Sequence, residues 1–372
     1  MIPLSDPSKI ALRKRLALEA YRVHRAIETY THELRYLFWE CTLRCNLRCN
    51  HCGSDCQNQA NVPDMPLSTF LKVLDEEIIP YQNPAKVLLV LTGGEPTVRS
   101  DLVQCGQEFQ RRGFSWGMVT NGWSMTPERW DSLVATGMRS LTVSLDGLAE
   151  VHDQFRSREG SFERALATLQ LATRTPQLTF DAMTMVTPAS LPQLPAIRDL
   201  LISSGVRRWR LDQVFPKGRS LRFPEMFLSD IQYHQMLTFI RDTRLQGQIR
   251  VDCGCDGFLG DWEGEVRHTP FFCRAGINVG SVLCDGSISA CPSLRADYIQ
   301  GNIATDSFRK VWEERYQNMR DRKWAKTEAC AKCKQWKFCH GNGLHLRDEK
   351  TGKLAFCHLH KLQNAIRLES IS

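Results

Sequence analysis

The amino-acid sequence predicts an α/β fold in which a parallel β-sheet is followed by a cysteine-rich region. Between residues 36 and 214, six strand-like segments alternate with helix-like segments, and parallel strands need crossover connections that helices provide. From residue 245 onward this alternation stops, and glycine, cysteine and aspartate become frequent. We therefore expect an N-terminal helical extension (1–34), an α/β core (35–245) and a cysteine-rich α+β domain (246–372).

The six strands are short runs rich in aliphatic and aromatic residues, bounded by polar residues and glycine. Six strand–helix units fit either an open, partial barrel or a doubly wound sheet. Both folds place their chemistry at the carboxyl ends of the strands. The predicted strands are 36–40, 87–91, 115–120, 140–145, 178–186 and 208–214.

The helices between the strands are indicated by their end signals. Serine and threonine cap the free N–H groups of a first turn, proline suits the first helical position, and glycine adopts the left-handed conformation that ends a helix. A further amphipathic helix is expected within the first 30 residues or so. The predicted helices of the core run from Ser100 to Gly113, from Thr126 to Gly137, onward from Ser161, and over 194–204 to Gly205.

Composition narrows the class of protein. The 372 residues are 42% hydrophobic and 24% charged, as in globular chains and unlike disordered or fibrous ones. No apolar run approaches the roughly 18 residues of a membrane span, and the first 20 residues lack the apolar core of a signal peptide. We therefore expect a cytoplasmic protein that does not bind membranes. The net charge of +7 forms no basic stripe, so nucleic acid is not an expected partner.

Fifteen cysteines are the most informative residues. Five lie between Cys41 and Cys56, and nine lie between Cys253 and Cys357. Because the cytosol keeps thiols reduced, metal or redox chemistry is a better interpretation than structural disulfides. Cys105 stands alone within a predicted helix and is expected to be a buried small hydrophobe.

The first cysteine group contains the spacing C-x3-C-x2-C, at Cys45, Cys49 and Cys52, directly after the first strand. Three thiolates on one tight loop can hold three irons of a [4Fe–4S] cluster and leave the fourth iron open. Ferredoxins, by contrast, supply four cysteines per cluster. Taken alone, the spacing also fits a zinc knuckle or a set of buried thiols.

Polar motifs follow the next strands at their carboxyl ends. Residues 92–96 read TGGEP, residues 144–147 read SLDG, and residues 152–156 read HDQFR. Glycines let a backbone approach a ligand closely, and a glutamate can accept a hydrogen bond from an ammonium group. The simpler interpretations are a strand-to-helix turn for the glycines and a surface ion pair for Arg156.

These motifs together resemble those of the radical S-adenosylmethionine (SAM) superfamily. The resemblance implies a partial (β/α)6 TIM-like barrel in which the open iron binds SAM. One electron from a flavodoxin- or ferredoxin-type donor then cleaves SAM to methionine and a 5′-deoxyadenosyl radical, which abstracts hydrogen from a substrate. His51 takes the place of the usual aromatic residue before the third cysteine. The SAM contacts that the resemblance implies are Gly93, Gly94, Glu95, Asn121, Ser144, Asp146 and Arg156.

The C-terminal cysteines resemble the SPASM extension of this superfamily, which carries two auxiliary [4Fe–4S] clusters. Cys273, Gly286 and Cys291 give C-x12-G-x4-C, and a C-x2-C-x5-C run followed by a last cysteine comes later. The resemblance implies a complete second auxiliary cluster. Its ligands would be Cys330, Cys333, Cys339 and Cys357.

The match to the extension fails at one position, where Gly343 replaces a cysteine that would serve the first auxiliary cluster. That cluster would keep Cys273 and Cys291, with Cys284 as a candidate third ligand. The fourth ligand would be Cys253, Cys255 or His345, or else one iron would be open. Structural zinc is an alternative for this region, because zinc also accepts four thiolates.

The resemblance further implies a substrate class, since enzymes with this extension mostly modify peptides or proteins. The motif pattern resembles that of a subgroup associated with small secreted or lipoprotein-like polypeptides. Only about 35 residues precede the first strand, too few for an N-terminal leader-binding domain. Pro292 follows Cys291 where sulfatase-maturing enzymes carry an aspartate base, which disfavours that activity.

The catalytic residue is not identified by any motif. A candidate substrate contact is Asp212, which lies with Gln213 at the end of the sixth strand, with Lys217 and Arg219 behind it. An ordinary ion pair between Asp212 and Arg219 is the simpler interpretation. The sequence therefore predicts a radical SAM enzyme that matures a peptide. The alternatives are an anaerobic sulfatase-type maturase and a zinc- or iron–sulfur-stabilised binding protein without turnover.

Overall fold

The computed structural model describes residues 6–254, 257–294 and 297–370. Their strands form one sheet. The strands are β1 Tyr36–Thr42, β2 Leu88–Gly93, β3 Ser115–Thr120, β4 Met138–Ser144, β5 Thr179–Val186, β6 Arg208–Gln213, β7 Arg250–Cys253, β8 Val279–Val282, β9 Ser287–Ser289 and β10 Gly301–Asn302. Their order across the sheet is β10-β9-β8-β1-β2-β3-β4-β5-β6-β7.

Helices connect the parallel strands and cover the outer face of the sheet. All six predicted strands are present, with ends within two residues of the predicted ones. The helices are α1 Leu12–Thr31, α2 Leu67–Val73, α3 Leu102–Arg111, α4 Pro127–Ala135, α5 Ala149–Arg156, α6 Ser161–Thr173, α7 Leu194–Ser203, α8 Asp230–Gln246, α9 Phe308–Glu314, α10 Gln317–Arg320, α11 Trp336–Cys339 and α12 His358–Glu369.

The end signals act largely as predicted. Thr126 caps α4 by accepting a hydrogen bond at 3.3 Å from the Arg129 N–H, and Pro127 is its first residue. The α3 helix starts at Leu102, two residues after Ser100, and Asp101 takes the capping position. None of the helices in the described part of the chain is long and apolar enough to cross a bilayer.

The sheet curls around a cavity of about 650 Å³. Side chains from β1 through β7 line it, among them Phe38, Val90, Val119, Thr142 and Arg250. The sheet does not close, because β7 and β10 form its two edges in the described residues. The observed architecture is therefore the partial barrel, and the doubly wound alternative is excluded.

The C-terminal half joins this sheet instead of forming a separate one. The β8 strand pairs in parallel with β1, with Val279 opposite Tyr36, and β9 pairs antiparallel with both β8 and β10. The sequence did not predict β7 or β8, because each is only four residues long and lies among glycines and cysteines. The main hydrophobic core accordingly runs through both halves of the chain.

The α1 helix packs against the C-terminal half. Leu18 lies in a small apolar cluster with Phe258, Phe271 and Phe338. Arg25 is also buried, and its guanidinium donates to the Phe338 carbonyl oxygen. This helix therefore forms one wall of the region that carries the C-terminal cysteines.

Candidate cofactor and substrate site

The three cysteines of the C-x3-C-x2-C spacing lie on the loop after β1. Cys45 and Cys49 are buried and Cys52 is half-buried. Nitrogen donors surround their sulfurs: the Asn121 amide lies 3.9 Å from the Cys45 Sγ, and the Arg156 Nη1 lies 3.5 Å from the Cys49 Sγ. These donors stabilise negative charge on sulfur, which a thiolate-held cluster requires.

Two glycines let the end of β2 pack directly on this loop. The Gly94 N–H donates to the Thr42 carbonyl oxygen at 2.8 Å, and the Glu95 N–H donates to that of Arg44 at 2.9 Å. A Cβ on Gly93 would lie 2.0 Å from the Thr42 oxygen, and one on Gly94 would lie 2.0 Å from the Arg44 oxygen. The glycines are therefore required by close backbone packing, whatever else they contact.

Glu95 braces the ends of β2 and β3. Its buried carboxylate accepts hydrogen bonds from the Thr97 N–H and hydroxyl, the Thr120 hydroxyl and the Asn121 N–H, at 2.7–3.1 Å. A carboxylate offers about four acceptor sites, so protein donors already engage most of this one. The sequence did not reveal this bracing role, because Thr97 and Asn121 lie in different loops.

Arg156 forms a buried ion pair, so the surface pair considered from sequence is not what the structure contains. Its Nη2 lies 2.5 Å from Asp146 Oδ2, and the Asp146 side chain is fully buried. Burial by itself would lower the pKa of Arg156, but Asp146 and Cys49 raise it overall. Ser144 ends β4 two residues before Asp146. The pair thus keeps the Arg156 guanidinium protonated beside the cysteine loop, with Asp146 balancing its charge.

His51 packs on the helix that carries Arg156. Its ring stacks on that of Phe155 with centroids 4.0 Å apart, and the Asn50 N–H donates to the Phe155 carbonyl oxygen. Burial lowers the pKa of His51 to about 3, so the ring is neutral. A neutral stacked ring can replace the aromatic residue that the superfamily usually has there.

Arg219 clamps the cysteine loop from the far side, a role that sequence reasoning missed. Its side chain is buried and donates to the carbonyl oxygens of Cys49 at 2.7 Å and Cys56 at 2.6 Å, and to the Asp55 carboxylate at 2.8 Å. It therefore pairs with Asp55 and not with Asp212. The one sequence feature that could have indicated this contact is Gly218. A Cβ at this position would lie 2.3 Å from the Gly53 carbonyl oxygen, so only glycine fits beside the cysteine loop.

Asp212 points into the barrel cavity at the end of β6. Its side chain is 9% exposed, and its Oδ1 has no hydrogen-bond partner among the described residues. Burial raises the pKa of this carboxyl. Gly254 leaves room for it, since a Cβ there would lie 1.8 Å from Oδ1. A buried carboxyl that lines a cavity and has one oxygen without a partner can accept a hydrogen bond from a bound molecule.

The four cysteines assigned to the second auxiliary cluster meet in one small cavity, lined by Cys330, Cys333, Cys339 and Cys357. Two donors point at their sulfurs. The Arg347 Nη2 lies 3.1 Å from the Cys330 Sγ, and the Asn342 N–H lies 3.2 Å from the Cys339 Sγ. Four convergent thiols with cationic and N–H donors fit a complete [4Fe–4S] cluster.

The first auxiliary site brings together only part of its candidate set. In the β8–β9 hairpin Ser281 is opposite Ser289. This register places Cys291, two residues after Ser289, beside the start of β8. Cys273 and Cys291 both line the barrel cavity. Cys284 lies at the other end of the hairpin, where its thiol donates to the Pro63 carbonyl oxygen. The structure therefore does not group Cys284 with the other two thiols.

The remaining candidates for this site are distributed differently. His345 lines the same cavity as Cys273 and Cys291, and burial lowers its pKa to about 4. Cys253 is buried at the end of β7, where its sulfur accepts a hydrogen bond from Arg267. Cys255 lies outside the described residues. Two thiols and one imidazole do not make the four-thiolate set that fits the second site.

All fourteen cysteines in the described residues are free. No three His, Cys, Asp or Glu side chains of those residues converge as they would around a single metal ion. Burial raises the pKa of Cys45 to about 12 and that of Cys291 to about 11. Such thiols ionise readily only when a metal or another positive charge compensates the thiolate.

Two family models match the chain. The radical SAM superfamily model matches residues 39–201, and the SPASM model, described as an iron-sulfur cluster-binding domain, matches residues 273–334. The first covers the cysteine loop and the glycine motif, and the second covers Cys273 to Cys333. The four-thiol cavity and the SPASM match together favour iron–sulfur clusters over zinc.

Curated relatives are similar over most of the chain. An AdoMet-dependent heme synthase from Methanosarcina barkeri (strain Fusaro) is 26% identical over 333 residues, covering 84% of this chain and 91% of its own. The mycofactocin maturase MftC of Mycolicibacterium smegmatis is 28% identical over 316 residues, covering 82% and 76%.

Solved structures share the fold. Streptococcus suis SuiB bound to the precursor peptide SuiA has a TM-score of 0.64 at 14% identity, covering 87% of this chain and 75% of its own. The histidine-tagged protein anSMEcpe with bound AdoMet has a TM-score of 0.68 at 18% identity, covering 91% and 98%. The two family models, together with the site described above, identify the family: the chain is a radical SAM enzyme with a SPASM domain, and its cofactors are SAM, a [4Fe–4S] cluster and auxiliary iron–sulfur clusters.

Proposed function

We propose that this enzyme abstracts a hydrogen atom from a peptide or protein substrate held in the barrel cavity. SAM bound at the cysteine loop supplies the 5′-deoxyadenosyl radical for this step. The observation that carries the proposal is the cavity of about 650 Å³, which reaches from Asp212 to Cys273 and Cys291. Pockets of this size enclose molecules as large as a few amino-acid residues.

The cavity wall suits a peptide because it offers donors, acceptors and apolar surface together. Arg210, Asp181 and Thr142 form a hydrogen-bonded row across three strands, with distances of 2.7–3.2 Å. Apolar side chains such as Phe38 and Met183 line the same space. The similarity to mycofactocin maturase and to SuiB, which was solved with a precursor peptide, supports the same substrate class.

At the cofactor end, we propose that Cys45, Cys49 and Cys52 hold the cluster and that Arg156 and Asn121 face SAM beside it. Asp146 acts through Arg156, whose charge it fixes. Glu95 contributes mainly by holding the ends of β2 and β3 together. The SAM amino group would therefore bind mostly to backbone atoms near Glu95. The remaining proposed SAM contacts are Gly93, Gly94 and Ser144.

Asp212, the residue next to last in β6, is the proposed substrate contact. Its Oδ1 is buried and unpartnered among the described residues, and the residue lines the cavity. Burial raises its pKa, which suits a group that exchanges a proton with a substrate near neutral pH. It can equally orient an N–H or O–H group of the substrate by hydrogen bonding.

A tetrapyrrole with carboxylate side chains is the second candidate substrate. The relative named as a heme synthase covers most of both chains, and three arginines, Arg208, Arg250 and Arg274, line one end of the cavity. Guanidinium groups pair well with carboxylates, so a porphyrin propionate would fit there.

Anaerobic reconstitution with iron and sulfide, followed by SAM and dithionite, tests these proposals. We expect 5′-deoxyadenosine, and more of it when the true substrate is present. Two kinds of probe separate the candidates: peptides synthesised from the reading frames that neighbour the gene, and a porphyrin carrying propionates. Mass spectrometry identifies which probe changes. A fully loaded protein that forms no 5′-deoxyadenosine would instead be a binding protein without turnover.

Removing any cysteine that holds the SAM-site cluster should abolish activity. Cys45→Ala, Cys49→Ala and Cys52→Ala should each abolish SAM cleavage while leaving auxiliary iron in place. Because an enzyme of this type needs reduced clusters and an electron donor, we also propose that it works in the cytoplasm.

A further inference from the structure

A second large cavity lies outside the barrel, between α1 and the cysteine-rich region. Its volume is about 760 Å³, and we call it the α1 groove. Arg22, Arg25 and Tyr30 of α1 form one wall, and Arg322 and Lys337 belong to the opposite wall. The barrel site described above does not use this groove.

The α1 groove touches both groups of C-terminal thiols. Cys339 lines the groove and also the small cavity in which the four thiols of the second auxiliary site meet. Cys273 lines the groove and also the barrel cavity. A molecule seated in the groove would therefore contact the cysteines that hold the auxiliary centres, on the side away from the substrate.

The charge of the groove is strongly positive. Its lining contains five arginine and lysine side chains and one carboxylate, Asp321. The hydrogen bonds that Arg25, Arg320 and Arg322 donate within the described residues go to backbone carbonyl oxygens, so these bonds neutralise none of the charge. Arg25 is 5% exposed, and its Nε has no partner among the described residues.

Two further cations stand at the rim. Arg22 and Lys337 are 46% and 47% exposed at their side chains. Both pair with Glu19, Arg22 at 2.8 Å, so one carboxylate serves two cations. The exposed Tyr30 ring adds apolar surface beside them.

We propose that the α1 groove is the docking site of the acidic one-electron carrier that reduces the enzyme. The carrier is oxidised by one electron and one cluster of the enzyme is reduced by that electron. No atom or proton is transferred. The excess positive charge would attract an acidic surface and accelerate its arrival. The thiols at the groove wall place a redox centre at the contact. The proposal rests on the radical SAM activity but not on the identity of the substrate.

The test uses the full-length, iron-loaded enzyme and a purified acidic flavodoxin as the probe. Its first readout is the dissociation constant, from quenching of flavin fluorescence, and its second is the rate at which reduced flavodoxin bleaches the cluster absorbance. The variant is Arg22→Gln/Lys337→Gln. The control is Lys72→Gln/Arg111→Gln, two exposed helix cations outside the groove. Like Arg22, Arg111 pairs with a glutamate three residues earlier.

We expect the groove variant to bind flavodoxin about tenfold more weakly and to be reduced correspondingly slowly, because rim charges govern association. Reduction by dithionite, which needs no protein contact, should be unchanged in every variant. Wild-type binding should weaken as the Debye length falls from about 30 Å at 0.01 M salt to about 3 Å at 1 M.

Equal binding and equal reduction rates in the groove and control variants would overturn the proposal, and so would salt-independent binding of the wild type. If the groove variant lost iron, its rates would not be compared, and the salt dependence of the wild type would decide. Failure of the peptide proposal would leave all of these readouts intact, because none of them needs a substrate.

Discussion

Replacing Arg219 by methionine should remove the SAM-binding cluster while leaving the chain folded. Arg219 is 3% exposed and donates to the carbonyl oxygens of Cys49 and Cys56 and to the Asp55 carboxylate. Without Arg219 the buried Cys56 carbonyl would have no donor among the described residues, which costs about 1–3 kcal/mol, and the Cys49 carbonyl would keep only the Cys52 N–H at 3.3 Å. The Asp55 pair adds at most about 1 kcal/mol, because Asp55 is 47% exposed.

This cost falls on the cysteine loop and not on the core. Folded domains are stable by about 5–15 kcal/mol, whereas a surface loop opens for much less. We therefore expect Arg219→Met to melt cooperatively but to hold about four fewer irons per chain after anaerobic reconstitution. SAM cleavage driven by dithionite should fall with the iron, and the SAM-dependent part of the reduced EPR spectrum should disappear.

Arg222 provides a matched control. It lies three residues later and approaches the same Asp55 at 3.7 Å, but its side chain is 66% exposed. Arg222→Met should therefore keep its iron and its activity. The clamp would be refuted if Arg219→Met retained the wild-type iron content and SAM cleavage, or if Arg222→Met lost them to the same extent.

Three further predictions concern packing, ligand choice and pH. Gly94→Ala should yield little iron-loaded protein, because its Cβ would lie 2.0 Å from the Arg44 oxygen; iron analysis of the soluble fraction checks this. Cys284→Ser should leave total iron and the auxiliary EPR signals unchanged while Cys291→Ser alters them, and a reversed result would return Cys284 to the ligand set. Burial lowers the pKa of His152 to about 4 in the folded protein. As the pH falls below about 6.5, this histidine therefore takes up a proton in the unfolded chain before it does so in the folded protein. Folding stability should then drop between about pH 6.5 and about pH 4, by about 1.4 kcal/mol per pH unit for this residue. His152→Gln should show a shallower loss in pH-dependent chemical denaturation, and an unchanged slope would contradict the assignment.

The features that could be predicted from the sequence are those encoded locally. The strands are continuous apolar runs, the C-x3-C-x2-C spacing lies within eight residues, and Thr126 with Pro127 marks a helix start within two residues. Each of these signals needs no knowledge of distant parts of the chain, so the strands, the cysteine loop and α4 could all be predicted. The choice of a partial barrel over a doubly wound sheet came from the resemblance to the radical SAM superfamily.

The features that escaped prediction depend on distant partners. Cys284 and Cys291 are only seven residues apart, but the hairpin register places them at opposite ends, and no spacing rule reports a register. Glu95 is engaged by donors from neighbouring loops and strands, and Arg219 contacts a carbonyl oxygen 170 residues earlier. Every residue has a backbone carbonyl oxygen, so a side chain that donates to one does not require a particular residue type at the accepting position. Such contacts therefore cannot be recognised in a single sequence.

The Arg219 clamp also constrains when the enzyme can acquire its iron. The loop that presents Cys45, Cys49 and Cys52 is synthesised before the arginine that fixes its carbonyl groups, which follows Cys49 by 170 residues. At about 5–20 residues per second, synthesis of this stretch lasts roughly 10–30 s. During that time the loop lacks a partner that holds its final shape. Iron delivery to this site therefore belongs to the period after β6 has joined the sheet, and a maturation factor that protects the three thiols until then would raise the yield of active enzyme.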